Sequence, residues 1–228
     1  PTVSASTINS TLFAGSPVLY TSDTMRGFCT AADLDSDSLR YYWAFYKNAA
    51  VFSNDNTTNY TQGTAINVAN ITGSNVKSGS WILECKADDA TANSTALNSS
   101  TLASNSCFSL NLTGQAYTLN ENAAINGSTC YNVTAANVSL NCAGYGITGN
   151  GTTGTSGVYS TASNTTTKNC AIASFARAVY YNGSSSGTIN NVNATTGFQY
   201  GAYFLNSSSN TISSSAFTSC PTTIPCAT

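Results

Sequence analysis

Apolar positions along this chain fall in short runs with alternating spacing, and no stretch shows the three-and-four spacing of an amphipathic helix. PVLYTS at 17–22, LRYYWAFYK at 39–47, TAINVAN at 64–70 and SWILECKA at 80–87 are rich in Tyr, Trp, Val and Ile. Polar turns separate them, so each run predicts a strand. The small polar stretch ATANSTALNSSTLASNS, 90–106, reads as a final strand and a connector. The expected division is 1–103 and 104–228, both all-β.

The second part repeats. TTKNCAI at 166–172, TINNVNA at 188–194 and TISSSAF at 211–217 align with spacings of 22 and 23 residues. Thr167, Ile189 and Ile212 correspond, as do Cys170, Val192 and Ser215, then Ile172, Ala194 and Phe217. A second strip repeats in phase: GVYS at 157, AVYY at 178 and GAYF at 201. Phe175 and Phe198 also match. Such a period without helical pattern predicts a β-solenoid, whose coils bury their apolar strips by stacking. Asn-rich and Ser-rich corners fit, because Asn tolerates left-handed backbone and can ladder with a stacked neighbour.

In the first part, Cys29 and Cys85 are spaced to bridge two sheets, and Trp43 follows Cys29 by 14 residues, where a strand Trp packs on such a bridge. These features predict an immunoglobulin-like β-sandwich. GFCTAADLDSDSLRYYWAFYKN and SGSWILECKADDA resemble the Ig-like/PKD-like modules of archaeal surface proteins. One departure is Trp81, four residues before Cys85 where that pattern has two. AYTLNENAAINGSTCYNVTAANVSLNCAGYGITG, 116–149, followed by NTTTKNCAI, is similar to the right-handed parallel β-helix family of carbohydrate-binding and sugar-hydrolase repeats, which includes periplasmic copper-deposition-type proteins. That resemblance implies a right-handed parallel β-helix with a capping segment at 107–125.

Eight cysteines allow many connectivities. Spacing favours Cys29 with Cys85, Cys107 with Cys130 one coil apart, Cys142 with Cys170 one coil plus a loop apart, and Cys220 with Cys226 around a C-terminal disulfide loop. An even count at wide spacing, without C-x₂₋₄-C pairs, argues for an oxidising, extracellular location rather than a zinc site.

Composition sharpens the picture. Charged residues are 7% of the chain, while Ser and Thr number 67 and Asn 27. The net charge is −2 with no basic cluster, which excludes nucleic acid and an anionic membrane surface as partners. No apolar run is long enough for a membrane span. With no initiator Met and no leader before Pro1, the chain reads as a mature product or a fragment.

Fifteen Asn residues lie in N-x-S/T sequons: Asn9, Asn56, Asn59, Asn70, Asn93, Asn98, Asn111, Asn126, Asn132, Asn137, Asn150, Asn164, Asn182, Asn193 and Asn206. Chance at this composition gives roughly eight. Accidental sequons are one reading. The other is a glycan coat that supplies the solubility charges do not.

Catalytic chemistry finds little to work with. From residue 91 onward the only charged side chains are Glu121, Lys168 and Arg177, and the chain has no His. Glycoside hydrolysis generally needs two carboxylates across the bond, and a Ser triad needs a His. No catalytic residue and no cofactor are therefore expected, and the chain reads as a non-enzyme. Asp33, Asp35, Asp37 and Asp89 form a candidate structural Ca²⁺ site. The alternative is an Asp-rich turn that caps its own backbone. Tyr159, Tyr180 and Tyr203 form a repeating column, open to reading as a packed ladder, a sugar-stacking face or a subunit contact.

The leading expectation is a structural subunit of an extracellular, glycosylated surface assembly (a filament, sheath or S-layer) at the cell surface. Its partners would be other copies of itself and its covalent N-glycans. The N-terminal stretch PTVSASTINSTLF could pair in its own sandwich or add to a neighbour's sheet. The alternative is a carbohydrate-binding adhesin fragment that takes environmental glycans.

Overall fold

The computed structural model describes residues 1–11, 18–20, 23–195 and 199–218. It is nearly all β, with one 3₁₀ turn at Gly73–Asn75, and it divides into Pro1–Asn105 and Ser106–Thr228.

The first unit contains β1 (Thr2–Ser10), β2 (Val18–Tyr20), β3 (Met25–Ala32), β4 (Arg40–Lys47), β5 (Ala50–Asn56), β6 (Ile66–Ile71), β7 (Gly79–Asp88), β8 (Leu97–Asn98) and β9 (Leu102–Asn105). One sheet runs β1-β3-β6, and the other runs β2-β9-β7-β4-β5 with β8 on β7. β1 pairs antiparallel with β3, so the N-terminal stretch from Thr2 to Ser10 completes a sheet of its own unit.

Strict alternation explains the core. Along β7, Trp81, Leu83, Cys85 and Ala87 are buried while Ile82, Glu84 and Lys86 are half-buried. They share one apolar cluster with Met25, Cys29 and Ala31 of β3 and Tyr41 and Phe45 of β4. The Cys29–Cys85 disulfide ties the two sheets, with Cα atoms 5.9 Å apart. The Tyr41 hydroxyl adds a second tie, accepting the Ala31 N–H at 3.0 Å. Burial pushes the Tyr41 phenol pKa up. Trp43 lies directly opposite Cys85 across the β4–β7 pair, but it is half-buried. Trp81 is the fully buried indole, and its Nε1–H donates to the Lys77 carbonyl at 3.1 Å.

The second unit is a parallel β-solenoid of about five coils. Coil one holds β10 (Ser109–Leu110), β11 (Ala116–Thr118) and β12 (Ala123–Ala124); coil two holds β13 (Tyr131–Val133), β14 (Ser139–Asn141) and β15 (Gly146–Thr148). Coil three holds β16 (Ser156–Ser160) and β17 (Thr166–Ala173), and coil four β18 (Arg177–Asn182) and β19 (Thr188–Ala194). Coil five holds β20 (Tyr200–Leu205), β21 (Thr211–Ser213) and β22 (Ala216–Phe217). The first strands of the five coils stack as one sheet, β10-β13-β16-β18-β20. The remaining strands form the other parallel sheet, centred on β17 and β19.

The repeat read from the sequence is the strand register. Thr167 pairs with Ile189 and Ile189 with Ile212; Cys170 pairs with Val192, Ile172 with Ala194 and Ala194 with Phe217. Leu140, Ile147, Val158, Ile172, Val179, Ile189 and Val192 are buried. The segment 107–125, expected as a cap, contains the strands of the first coil. Phe108 there packs edge-on against Tyr117 and Tyr131, with centroids 5.8 and 5.5 Å away. Cys107–Cys130 and Cys142–Cys170 each join successive coils. Cys220, Cys226, their expected loop and Phe198 lie outside the described residues.

One corner repeats in left-handed backbone on every coil: Gly114, Asn137, Asn164, Ser186 and Ser209 all have φ between 56° and 73°. Small polar side chains tolerate this region best after Gly. The Asn164 amide donates to the Asn137 side-chain oxygen at 2.9 Å. At a second corner Asn191 donates to Asn169 and Asn169 to Asn141, each at 2.9 Å. These ladders run from coil to coil and satisfy amides that the turns hold away from the strands.

Candidate functional site

The β10-β13-β16-β18-β20 sheet presents a column of aromatic side chains. Tyr159, Tyr180 and Tyr203 stand in register on successive coils. Their ring centroids are 5.0 and 5.1 Å apart, tilted by 46° and 49°. These distances are set by strand stacking, which spaces rungs by about 4.8 Å. Tyr200 widens the column, its ring 4.8 Å from that of Tyr203.

Arg177 lies across this column, with its guanidinium carbon 4.7 Å from the Tyr180 centroid and 5.3 Å from that of Tyr203. Such cation–π contacts favour the charge but leave the planar N–H fork in need of an acceptor. Arg177 Nε is buried with no hydrogen-bond partner, and among the described residues no carboxylate is ion-paired with this guanidinium. All five side chains are half-buried. The strip therefore offers aromatic surface and an unmatched positive charge together.

Strand periodicity finds the tyrosines and misses Arg177. Simple alternation would put residue 177 on the same face as Val179 and opposite Tyr180. The alternation breaks because Ala178 and Val179 are both buried, which lets Arg177 and Tyr180 share the outer side.

Thirteen of the fifteen sequon asparagines are exposed, and Asn132 and Asn182 are half-buried. Those two belong to β13 and β18 of the aromatic sheet. The Asn182 amide nitrogen, where a glycan would attach, donates to the Tyr159 hydroxyl at 3.2 Å. Asn132 Oδ1 is buried without a partner. The exposed sequons lie elsewhere, at solenoid corners such as Asn137, Asn164 and Asn206, and on first-unit strands such as Asn9 and Asn70.

Two of the acidic side chains singled out in the sequence lie at the Pro1 nitrogen. Asp33 is 2.9 Å from the Pro1 ammonium and Asp89 is 3.9 Å from it, so these two carboxylates face a cation of the chain itself. Asp89 also accepts the backbone N–H groups of Thr91 and Ala92 at 2.8 and 2.6 Å, and these bonds hold its carboxyl pKa below the ordinary value. Asp35 acts on the same ammonium without forming an ion pair, and Asp37 does not join them. No group of three or more acidic, His or Cys side chains suited to a metal ion occurs among the described residues.

A concavity of about 430 Å³ lies on the outer face of β4, β5 and β7, lined by Tyr42, Tyr46, Asp55, Asn56, Glu84 and Lys86 among others. The Tyr46 hydroxyl reaches Glu84 at 3.5 Å, and burial together with that carboxylate raises its phenol pKa. Asn56 is a sequon residue, so a glycan there would stand over this concavity.

No protein-family model matches the chain. No curated protein matches it either. Among solved structures, the catalytic domain of a GH87 α-1,3-glucanase in complex with nigerose is similar at 12% identity and a TM-score of 0.18. The match covers 82% of this chain and 54% of that one, so the chain spans about half the length of that structure. A likeness this loose carries no argument about activity. No helix among the described residues is long and apolar enough to cross a membrane.

Proposed function

We propose that this chain is a structural subunit of an extracellular, N-glycosylated surface assembly, built from an Ig-like sandwich and a right-handed β-helix. The observation that carries the reading is the distribution of sequons. Thirteen of fifteen are exposed, and the two that are not sit on the sheet bearing the aromatic column. A glycan coat over the other surfaces would keep a chain with 7% charged residues soluble and leave one face bare for contact with a neighbour. Disulfides across the sheets and between coils suit an oxidising compartment at the cell surface. The Cys29–Cys85 bridge with Trp43 opposite supports the Ig-like kinship. The function is non-catalytic, because the solenoid unit has a single acidic side chain, Glu121.

Two measurements test this. Electron microscopy of native material should show regular filaments or a lattice; dispersed particles at all concentrations would sink the reading. Glycopeptide mapping should find glycans at exposed sequons and little at Asn132 and Asn182. A second reading, a carbohydrate-binding adhesin, is favoured by the aromatic column itself, and a glycan array discriminates it from the first.

A further inference from the structure

We propose that the tyrosine and arginine strip is the socket for the 33–37 turn of a second copy of this chain. This inference rests on the structural-subunit reading and names the surfaces that would make its contact. The socket side has been described: four half-buried tyrosines, a guanidinium without an anion, and no exposed sequon on the outer side of β16, β18 or β20. Glu121, the one acidic side chain of that unit, follows β11 in the first coil, whereas Arg177 begins β18 in the fourth. The anion must come from outside the unit.

The first unit supplies a matching projection. Leu34 is 96% exposed, more than any other large apolar side chain among the described residues. It stands between Asp33 and Asp35, with Asp37 two residues on, and Asp35 and Asp37 are both exposed. Neither is ion-paired among the described residues. The turn holds its own shape: the Asp33 N–H donates to the Gln62 side chain, and the Asp35 N–H donates to Asp33 Oδ2 at 3.3 Å. Asp33 is ion-paired with the Pro1 nitrogen, whereas Asp35 and Asp37 are exposed carboxylates outside any ion pair among the described residues, Asp35 acting on that nitrogen only at longer range.

Shape and charge agree. An apolar tip flanked by carboxylates fits an aromatic strip that carries a guanidinium, with Leu34 on tyrosine rings and a carboxylate taking the fork of Arg177. The first unit carries eight acidic and five basic side chains and the second one acidic and two basic, so attraction between unlike units of two copies is favoured. The two surfaces differ, so the contact is heterologous and each copy keeps a free socket and a free turn for the next.

The test uses the full glycosylated chain, followed by light scattering and electron microscopy. R177E and D35K/D37K should each weaken association by roughly tenfold or more. An equimolar mixture of the two should assemble again, because each reversed turn meets a reversed socket. The chain carrying all three changes should also assemble. R177Q reads the same contact if R177E misfolds, and intact disulfides with an unchanged circular dichroism spectrum control for folding. If the wild type assembles and the charge-reversed variants assemble equally well, the socket is overturned and the structural-subunit reading stands. A wild type that stays monomeric at every concentration overturns both. Arg177-dependent binding of polygalacturonate, with assembly untouched, would assign the strip to an acidic saccharide and overturn the proposal.

Discussion

The two units reach a buried β core by opposite routes. The sandwich unit alternates apolar and polar residues along antiparallel strands and draws partners from far apart, as when Cys29 meets Cys85 across 56 residues. The solenoid repeats a strip every 22 or 23 residues through most of its coils and pairs each strand with its equivalent one turn on. Its bridges span 23 and 28 residues. Charge follows the same divide, with thirteen of the chain's sixteen charged side chains in the first unit. Repetition lets uncharged Asn and Ser ladders satisfy the corners, whereas unique turns such as 33–37 and 88–92 use carboxylates to hold individual N–H groups.

The comparison can be broken most directly at the disulfides. Replacing Cys29 and Cys85 by Ser should cost the sandwich about 4 kcal/mol, and replacing Cys142 and Cys170 should cost the solenoid about 3.5 kcal/mol, on loop-closure entropy. Each pair should move only its own unit's transition in chemical denaturation. A single transition that shifts for both pairs would show that the units unfold as one.

Packing gives the next effect. A Cβ on Gly157 would meet Ile172 Cγ2 at 2.5 Å and the Ala178 carbonyl oxygen at 2.8 Å. A Cβ on Gly27 would meet only side chains, nearest Phe45 Cζ at 2.7 Å. Backbone cannot step aside as a side chain can, so Gly157→Ala should cost about 3 kcal/mol and Gly27→Ala about 1 kcal/mol. Equal losses would mean that the coils relax as readily as the sandwich.

The left-handed corner is a smaller lever. Asn164→Ala should cost about 1 kcal/mol, since Ala lacks the local hydrogen bonds that help Asn adopt φ 57°. Thr166→Ala removes the sequon and keeps the Asn, so it isolates the contribution of a glycan. Asn164→Gly should fall close to the Thr166→Ala value in urea denaturation.

The smallest expected effect is the pH dependence, which should be confined to the first unit. The Asp89 carboxyl is depressed, so its stabilisation is complete above the ordinary value of 3.8 and is lost as pH falls through the lowered one. Hydrogen exchange followed from neutral to acid pH should show the first unit loosening as the Asp89 carboxyl protonates and the solenoid nearly unchanged.

Much of the architecture is legible in the order of residues. The alignment of Thr167, Ile189 and Ile212 is a register because identical coils can bury their strips only by stacking in phase. The bridging of Cys107 with Cys130 and of Cys142 with Cys170 follows from the same period. Within the sandwich, alternation marks the strands but not which indole is buried, since Trp81 and Trp43 both lie on strands and only the facing sheet decides between them.

What the residue order alone determined is therefore the local and periodic part: strand positions, coil length, and the near absence of acidic side chains in the solenoid. The tertiary structure decided where unlike segments meet. It brought the Pro1 ammonium to Asp33 and Asp89, and it put Arg177 beside Tyr180 through two consecutive buried residues. The physical reason is that periodicity encodes contacts repeating at fixed separation, whereas charge pairing and breaks in alternation are settled by how distant segments fill one core.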